Sequence, residues 1–134
     1  MERARVIYLI DSVILIDHFN GIEAASTFLG EHASESGISV ITRAEVLAGF
    51  SEPMLPVARE LLDIFSALPI TSDIADLAAT LRRTERWKLP DALQAAVAIR
   101  HELTLVTRNT RDFKAGGKLS VLVPYSLGKS GGAG

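Results

Sequence analysis

Short apolar runs rich in β-branched residues alternate along this chain with stretches of helical periodicity, and that alternation restricts the fold more than any other feature. Residues 6–10 (Val-Ile-Tyr-Leu-Ile) are continuously apolar, the pattern of a strand buried on both faces. Residues 38–41, 68–71, 104–107 and 119–123 are the other strand candidates. Pro69 cannot donate to a ladder, so 68–71 is expected to be a less central strand. Helical segments lie between them. One runs over 13–19 and ends at Asn20-Gly21, a second covers 24–29 with Gly37 marking the break after it, and a third starts at Thr42. A fourth spans 57–67, a fifth is capped by Ser72 with Ile74, Leu77, Ala78 and Leu81 on one face, and an Ala-rich sixth covers 91–100. Such alternation argues for a parallel sheet covered by helices.

At 134 residues the chain is long enough for one domain with one sizeable core, and 48% hydrophobic with 22% charged residues is a globular composition. No cysteine is present, which removes disulfides and every thiolate metal site. The first apolar run is five residues long before Asp11 interrupts it, which is no secretory signal. Nothing approaches the roughly 18 apolar residues of a membrane span. A cytoplasmic protein without membrane association is expected. Residues 1–125 form the expected domain, and 126–134, rich in Gly and Ser, an expected disordered tail.

Four carboxylates fall where the alternating pattern brings strand ends together. Asp11 closes the first apolar run, Glu45 follows the second, Asp91 opens the Ala-rich helix, and Asp112 lies just past residues 104–107. Loops leaving the carboxyl ends of parallel strands share one edge, where such folds bind ligands. Each acid also has a local explanation. Asp11 suits the cap of a helix beginning near Ser12. Thr42-Arg43-Ala44-Glu45 matches a capping box with Thr42 as the N-cap, and on this segment alone capping is the stronger reading. Asp91 follows Pro90 and favours a helix dipole. A surface loop with a local salt bridge accounts for Asp112. Taken jointly, four acids at one edge repel one another unless a cation lies between them, and a hard divalent ion such as Mg²⁺ prefers oxygen donors of this kind.

The net charge of −2 is unevenly distributed. Residues 1–67 carry a net −6 and residues 68–134 a net +4. Arg82, Arg83, Arg86 and Lys88 precede Asp91, while Arg108, Arg111, Lys114 and Lys118 surround Asp112. Basic side chains beside an acidic pocket suit a phosphate-bearing substrate that also needs a metal, although charges on one helix face also serve as a solvated surface. Other chemistries find less support. His18, His32 and His101 have no zinc spacing. Gly116-Gly117 before Lys118 is an isolated turn and not a phosphate loop. Ser12 has no histidine close by in sequence, and Tyr8 and Trp87 are too few for a base-stacking platform.

Four segments in order resemble the PIN-domain ribonucleases, specifically the VapC-type toxins of toxin–antitoxin pairs. They are Tyr8-Leu9-Ile10-Asp11-Ser12-Val13-Ile14-Leu15-Ile16, Ser39-Val40-Ile41-Thr42-Arg43-Ala44-Glu45-Val46, Lys88-Leu89-Pro90-Asp91-Ala92-Leu93-Gln94-Ala95-Ala96 and Leu105-Val106-Thr107-Arg108-Asn109-Thr110-Arg111-Asp112-Phe113. The resemblance implies a three-layer α/β/α fold with a five-stranded parallel sheet. It implies an endoribonuclease dependent on Mg²⁺, with Mn²⁺ as a substitute, that leaves a 5′-phosphate and a 3′-hydroxyl. It further implies a homodimer and a cognate VapB-type antitoxin that wraps the toxin and blocks the acidic pocket.

The family's acidic residues carry over as Asp11, Glu45, Asp91 and Asp112, with Asp11 and Asp91 as direct metal ligands. Relatives place the fourth acid either where this chain has Asn109 or where it has Asp112. Asp112 is favoured, with Asn109 as an auxiliary polar contact. Ser12 stands where relatives often have threonine and serves the same auxiliary role. Arg86, Lys88, Arg108 and Arg111 are the candidate phosphate contacts to single-stranded or loop RNA. Two rivals stay open: a catalytically silent module binding RNA or a partner through the same pocket, and a receiver-like signalling domain. The receiver design wants an acidic pair after the first strand and a late lysine, whereas here Ser12 follows Asp11 and Arg108 follows Thr107.

Overall fold

The computed structural model describes residues 5–113 and 118–127, and of Asp112 the backbone only. Five parallel strands form one sheet: β1 (Tyr8–Ile10), β2 (Ser36–Ser39), β3 (Ser66–Leu68), β4 (Thr104–Val106) and β5 (Ser120–Leu122), in the order β3-β2-β1-β4-β5. Six α-helices connect them: α1 (Ser12–Phe19), α2 (Glu23–His32), α3 (Val40–Ala48), α4 (Leu55–Leu62), α5 (Ser72–Glu85) and α6 (Leu89–His101). Short 3₁₀ turns cover Ala33–Glu35, Glu52–Met54 and Thr110–Phe113. The expected tail lies, from residue 128 on, outside the described residues, as do Lys114 and the Gly116-Gly117 turn.

Three layers follow from the pleat, since successive side chains of a strand face opposite ways. In β1, Leu9 points into a core built with Ile74, Ala78, Ala92, Ala95 and Ala96 of α5 and α6. Its neighbour Ile10 points into a second core with Ile14, Leu15, Leu29, Val46 and Leu62 of α1–α4. Leu105 and Val106 of β4 divide in the same way. A sheet covered on both faces explains why its central strand, β1, reads as an unbroken apolar run. The three-layer α/β/α architecture expected from the sequence is the one observed.

Several boundaries move. Residues 40 and 41 belong to α3 and not to β2, because Ser39 caps the helix by accepting the Thr42 N–H at 3.1 Å. Thr42 is therefore the third helical residue, and the capping box with Glu45 does not form. Gly37 lies inside β2 rather than after α2, opposite Leu9 and Ser66, where an added Cβ would stand 3.2 Å from the Ser66 carbonyl oxygen. The third strand ends at Leu68, before Pro69, and the expected 57–67 helix stops at Leu62 to make room for it. It is an edge strand, the less central position expected, although Pro69 itself lies just beyond it. Thr71, not Ser72, is the N-cap of α5.

Candidate active site

The sheet order places β1 and β4 side by side, with their chain connections leaving in opposite directions. That is a topological switch point, where the loops diverge and open a crevice beyond the strand ends. Asp11 is the first residue beyond β1, and its N–H donates to the Val106 carbonyl at 2.9 Å, so the ladder holds its backbone. It is also the N-cap of α1, accepting the Ser12 N–H on Oδ1 at 2.9 Å. The same oxygen accepts Nε2–H of Gln94 at 3.2 Å, and Oδ2 accepts the Thr107 hydroxyl at 2.7 Å. Thr107, directly beyond β4 and fully buried, in turn accepts the Asn109 N–H at 3.0 Å.

Glu45 stands on α3, one turn on from Thr42, and faces Asp11 across Ser12, whose hydroxyl donates to the Glu45 carboxylate. Burial pushes the Glu45 carboxyl up from its ordinary pKa, and the negative charge of Asp11 pushes it further, against the opposing Ser12 hydrogen bond. Glu45 is nonetheless exposed to solvent as a whole residue, so that burial is partial. Asp91 is half-buried in the first turn of α6, after Pro90. It lies three residues before Gln94 and so on the same helix face, the face that meets Asp11.

Asp11 and Glu45 are thus brought together, and Asp91 is carried on the helix face beside them. The side chain of Asp112, the favoured fourth acid, lies outside the described residues, and the backbone of Asn109 is tied to Thr107. Among the described residues, no three His, Asp or Glu side chains are already gathered tightly enough to hold a metal ion. The donor chemistry nevertheless fits one: paired carboxylate oxygens, mutually destabilised and without sulfur or imidazole, match a hard divalent cation.

Three residues of the site were absent from the expectations drawn from sequence. Gln94, Thr42 and Thr107 are buried, and all three join the network around Asp11. Arg108, one of the candidate phosphate contacts, is engaged within the fold. Its Nε and Nη2 donate to the two oxygens of buried Asp17 at 2.6 and 2.9 Å, so the guanidinium braces the interior. Arg86, Lys88 and Arg111 remain exposed. Trp87 is buried edge-on against Phe113, and Tyr8 packs on Phe28 and His32, so neither ring is a stacking platform.

Comparison with known proteins agrees with this geometry. The model of the PIN domain family matches residues 8–119. Ribonuclease VapC19 of Mycobacterium tuberculosis is 34% identical over 113 residues, covering 78% of this chain and 90% of the relative. Ribonuclease VapC10 of the same organism is 33% identical over 112 residues, covering 78% and 84%. One chain of a toxin–antitoxin complex from Klebsiella pneumoniae superposes with a TM-score of 0.80 at 37% identity, over 90% of this chain and 99% of that one. An acid pair at the β1/β4 switch point, in a five-stranded parallel sheet with these relatives, leads to one assignment: the chain belongs to the PIN-domain family, among its VapC ribonucleases.

Proposed function

We propose that this chain is a metal-dependent endoribonuclease, the toxin of a toxin–antitoxin pair, hydrolysing phosphodiester bonds of single-stranded or loop RNA with Mg²⁺ or, in its place, Mn²⁺. The observation that carries the reading is the Asp11–Glu45 pair at the switch point of a VapC-family sheet. Asp11, Glu45 and Asp91 would hold the ion, with Asp112 as the fourth acid. When bound, the ion supplies Lewis-acid polarisation of the phosphate and acidifies the attacking water. The protein's own share is placement. Gln94 and Thr107 fix the two oxygens of Asp11, and Ser12 spans from Asp11 to Glu45. Arg86, Lys88 and Arg111 are exposed cations suited to backbone phosphates flanking the scissile bond. No side-chain nucleophile is required.

The resemblance to one chain of a toxin–antitoxin complex supports an antitoxin partner that covers the acidic crevice with a basic side chain. A homodimer acting in the cytoplasm completes the reading. No helix among the described residues is long and apolar enough to cross a membrane. The test is cleavage of total RNA at increasing Mg²⁺. Wild-type protein should cut, EDTA should stop it, and Asp11→Asn should lower the rate by roughly 100-fold or more, as loss of metal-assisted catalysis demands. Binding without cleavage would favour the silent module, and activity untouched by EDTA would overturn the proposal.

A further inference from the structure

Helix α6 is packed against the sheet through small and apolar residues, with Ala92, Ala95, Ala96, Val97 and Ala98 all buried. Gln94 breaks that pattern. It is 3% exposed, and an amide buried there costs free energy unless its hydrogen bonds are made. They are made, and to a specific set of partners. Nε2 donates to Asp11 Oδ1 at 3.2 Å and to Thr42 Oγ1 at 2.6 Å, while Oε1 accepts the Ser39 hydroxyl at 2.6 Å. Ser39 and Thr42 are completely buried. The amide has one workable orientation, because a flip would turn Oε1 toward the Asp11 carboxylate.

These bonds join three elements at one point. Asp11 directly follows β1, Ser39 caps α3 and Thr42 lies in its first turn, and Gln94 lies in α6. Each element carries one acid of the crevice: Asp11 itself, Glu45 one turn beyond Thr42, and Asp91 one turn before Gln94. We infer that Gln94 is a positioning residue for this centre, setting the plane of the Asp11 carboxylate and the spacing of α3 and α6 so that the three acids address one divalent cation. The inference rests on the metal-dependent reading above. A packing role alone would not need the amide to reach Asp11, since a Leu or Met would fill the same space beside the alanines.

Direct Mn²⁺ binding, followed by electron paramagnetic resonance without RNA, tests it independently of turnover. Gln94→Leu should weaken Mn²⁺ affinity by roughly 10- to 100-fold, the range for residues that orient metal ligands. It should also lower kcat while leaving the KM for RNA unchanged. Thr42→Val, which removes the other acceptor of Nε2, should shift Mn²⁺ affinity in the same direction by less. The double variant should be no worse than Gln94→Leu alone, because both act through one network. Val97→Ala, a buried truncation on the same helix, calibrates loss of stability without loss of Mn²⁺ affinity. If Gln94→Leu does not fold, Thr42→Val carries the test: unchanged Mn²⁺ affinity there overturns the inference. Wild-type Mn²⁺ binding with undiminished affinity in folded Gln94→Leu overturns the positioning role alone. Failure of the wild-type protein to bind Mn²⁺ overturns both it and the metal-dependent reading.

Discussion

Ser12 sits between two acids, giving its N–H to Asp11 and its hydroxyl to Glu45. Two hydrogen bonds from one small residue do not neutralise two charges, so the metal-free protein carries Glu45 against both burial and the field of Asp11. Glu45→Gln keeps the shape and removes the charge. It should raise the melting temperature of the metal-free protein and reduce the extra stability conferred by Mg²⁺. For the wild type that extra stability is about 2.7 kcal/mol when Mg²⁺ stands at 100 times its Kd. Differential scanning fluorimetry with and without Mg²⁺ checks both signs, and a lower metal-free melting temperature in the variant would argue for a purely structural Glu45. The acids were legible in the sequence because strand-end carboxylates stand out against apolar runs. Gln94, Thr42 and Thr107 were not, because a sequence displays residue types and not burial. The available signal was a lone amide in an alanine-rich helix three residues after Asp91.

Helix ends explain most of what the sequence misplaced. Val40 and Ile41 are β-branched and read as strand, yet a serine capping bond at Ser39 outweighs that preference and starts α3 two residues early. The result moves Glu45 out of a capping role and leaves its carboxylate free to meet Ser12. At the other end of the molecule α5 stops at Arg86, which adopts φ 63° and ψ 29°, a left-handed position usually given to glycine. An L-residue there costs about 1–2 kcal/mol, partly offset by the greater unfolded-state freedom of glycine. Arg86→Gly should therefore stabilise the fold by roughly 0.5–1 kcal/mol in urea unfolding. If Arg86 contacts a phosphate as proposed, the same variant should bind single-stranded RNA more weakly, with the salt slope smaller by about 0.7. Stabilisation with an unchanged salt slope would remove Arg86 from the substrate surface.

At the scale of the whole molecule, the acids meet at the strand ends because β4 lies beside β1, and a polar clamp holds the loop after β4 to α1. Asp17 of α1 is buried yet charged, and it accepts both Arg108 N–H groups and the Tyr125 hydroxyl at 2.8 Å. Arg108 directly follows Thr107, the residue that holds Asp11, so the clamp ties α1, the β4 loop and the chain beyond β5 together. Asp17 and Tyr125 are distant in sequence and neither belongs to a motif, so only the tertiary fold reveals the pairing. Arg108 chiefly holds the Asp17 carboxyl below its ordinary value of 3.8, with burial working in the opposite direction. Burial and the adjacent Asp17 push the Tyr125 hydroxyl upward, so it remains a donor. Because the unfolded chain protonates Asp17 at the ordinary value, it binds more protons than the folded protein in the window below 3.8. The clamp's contribution is therefore complete above that window and is lost as pH falls through the folded value. Asp17→Asn should cost roughly 2–4 kcal/mol at neutral pH, near the low end for buried pairs because Arg108 is partly solvated. Tyr125→Phe should cost about 1 kcal/mol. Urea unfolding across a pH series should show a shallower acid limb in Asp17→Asn than in the wild type, and parallel limbs would mean that the clamp does not couple protonation to folding.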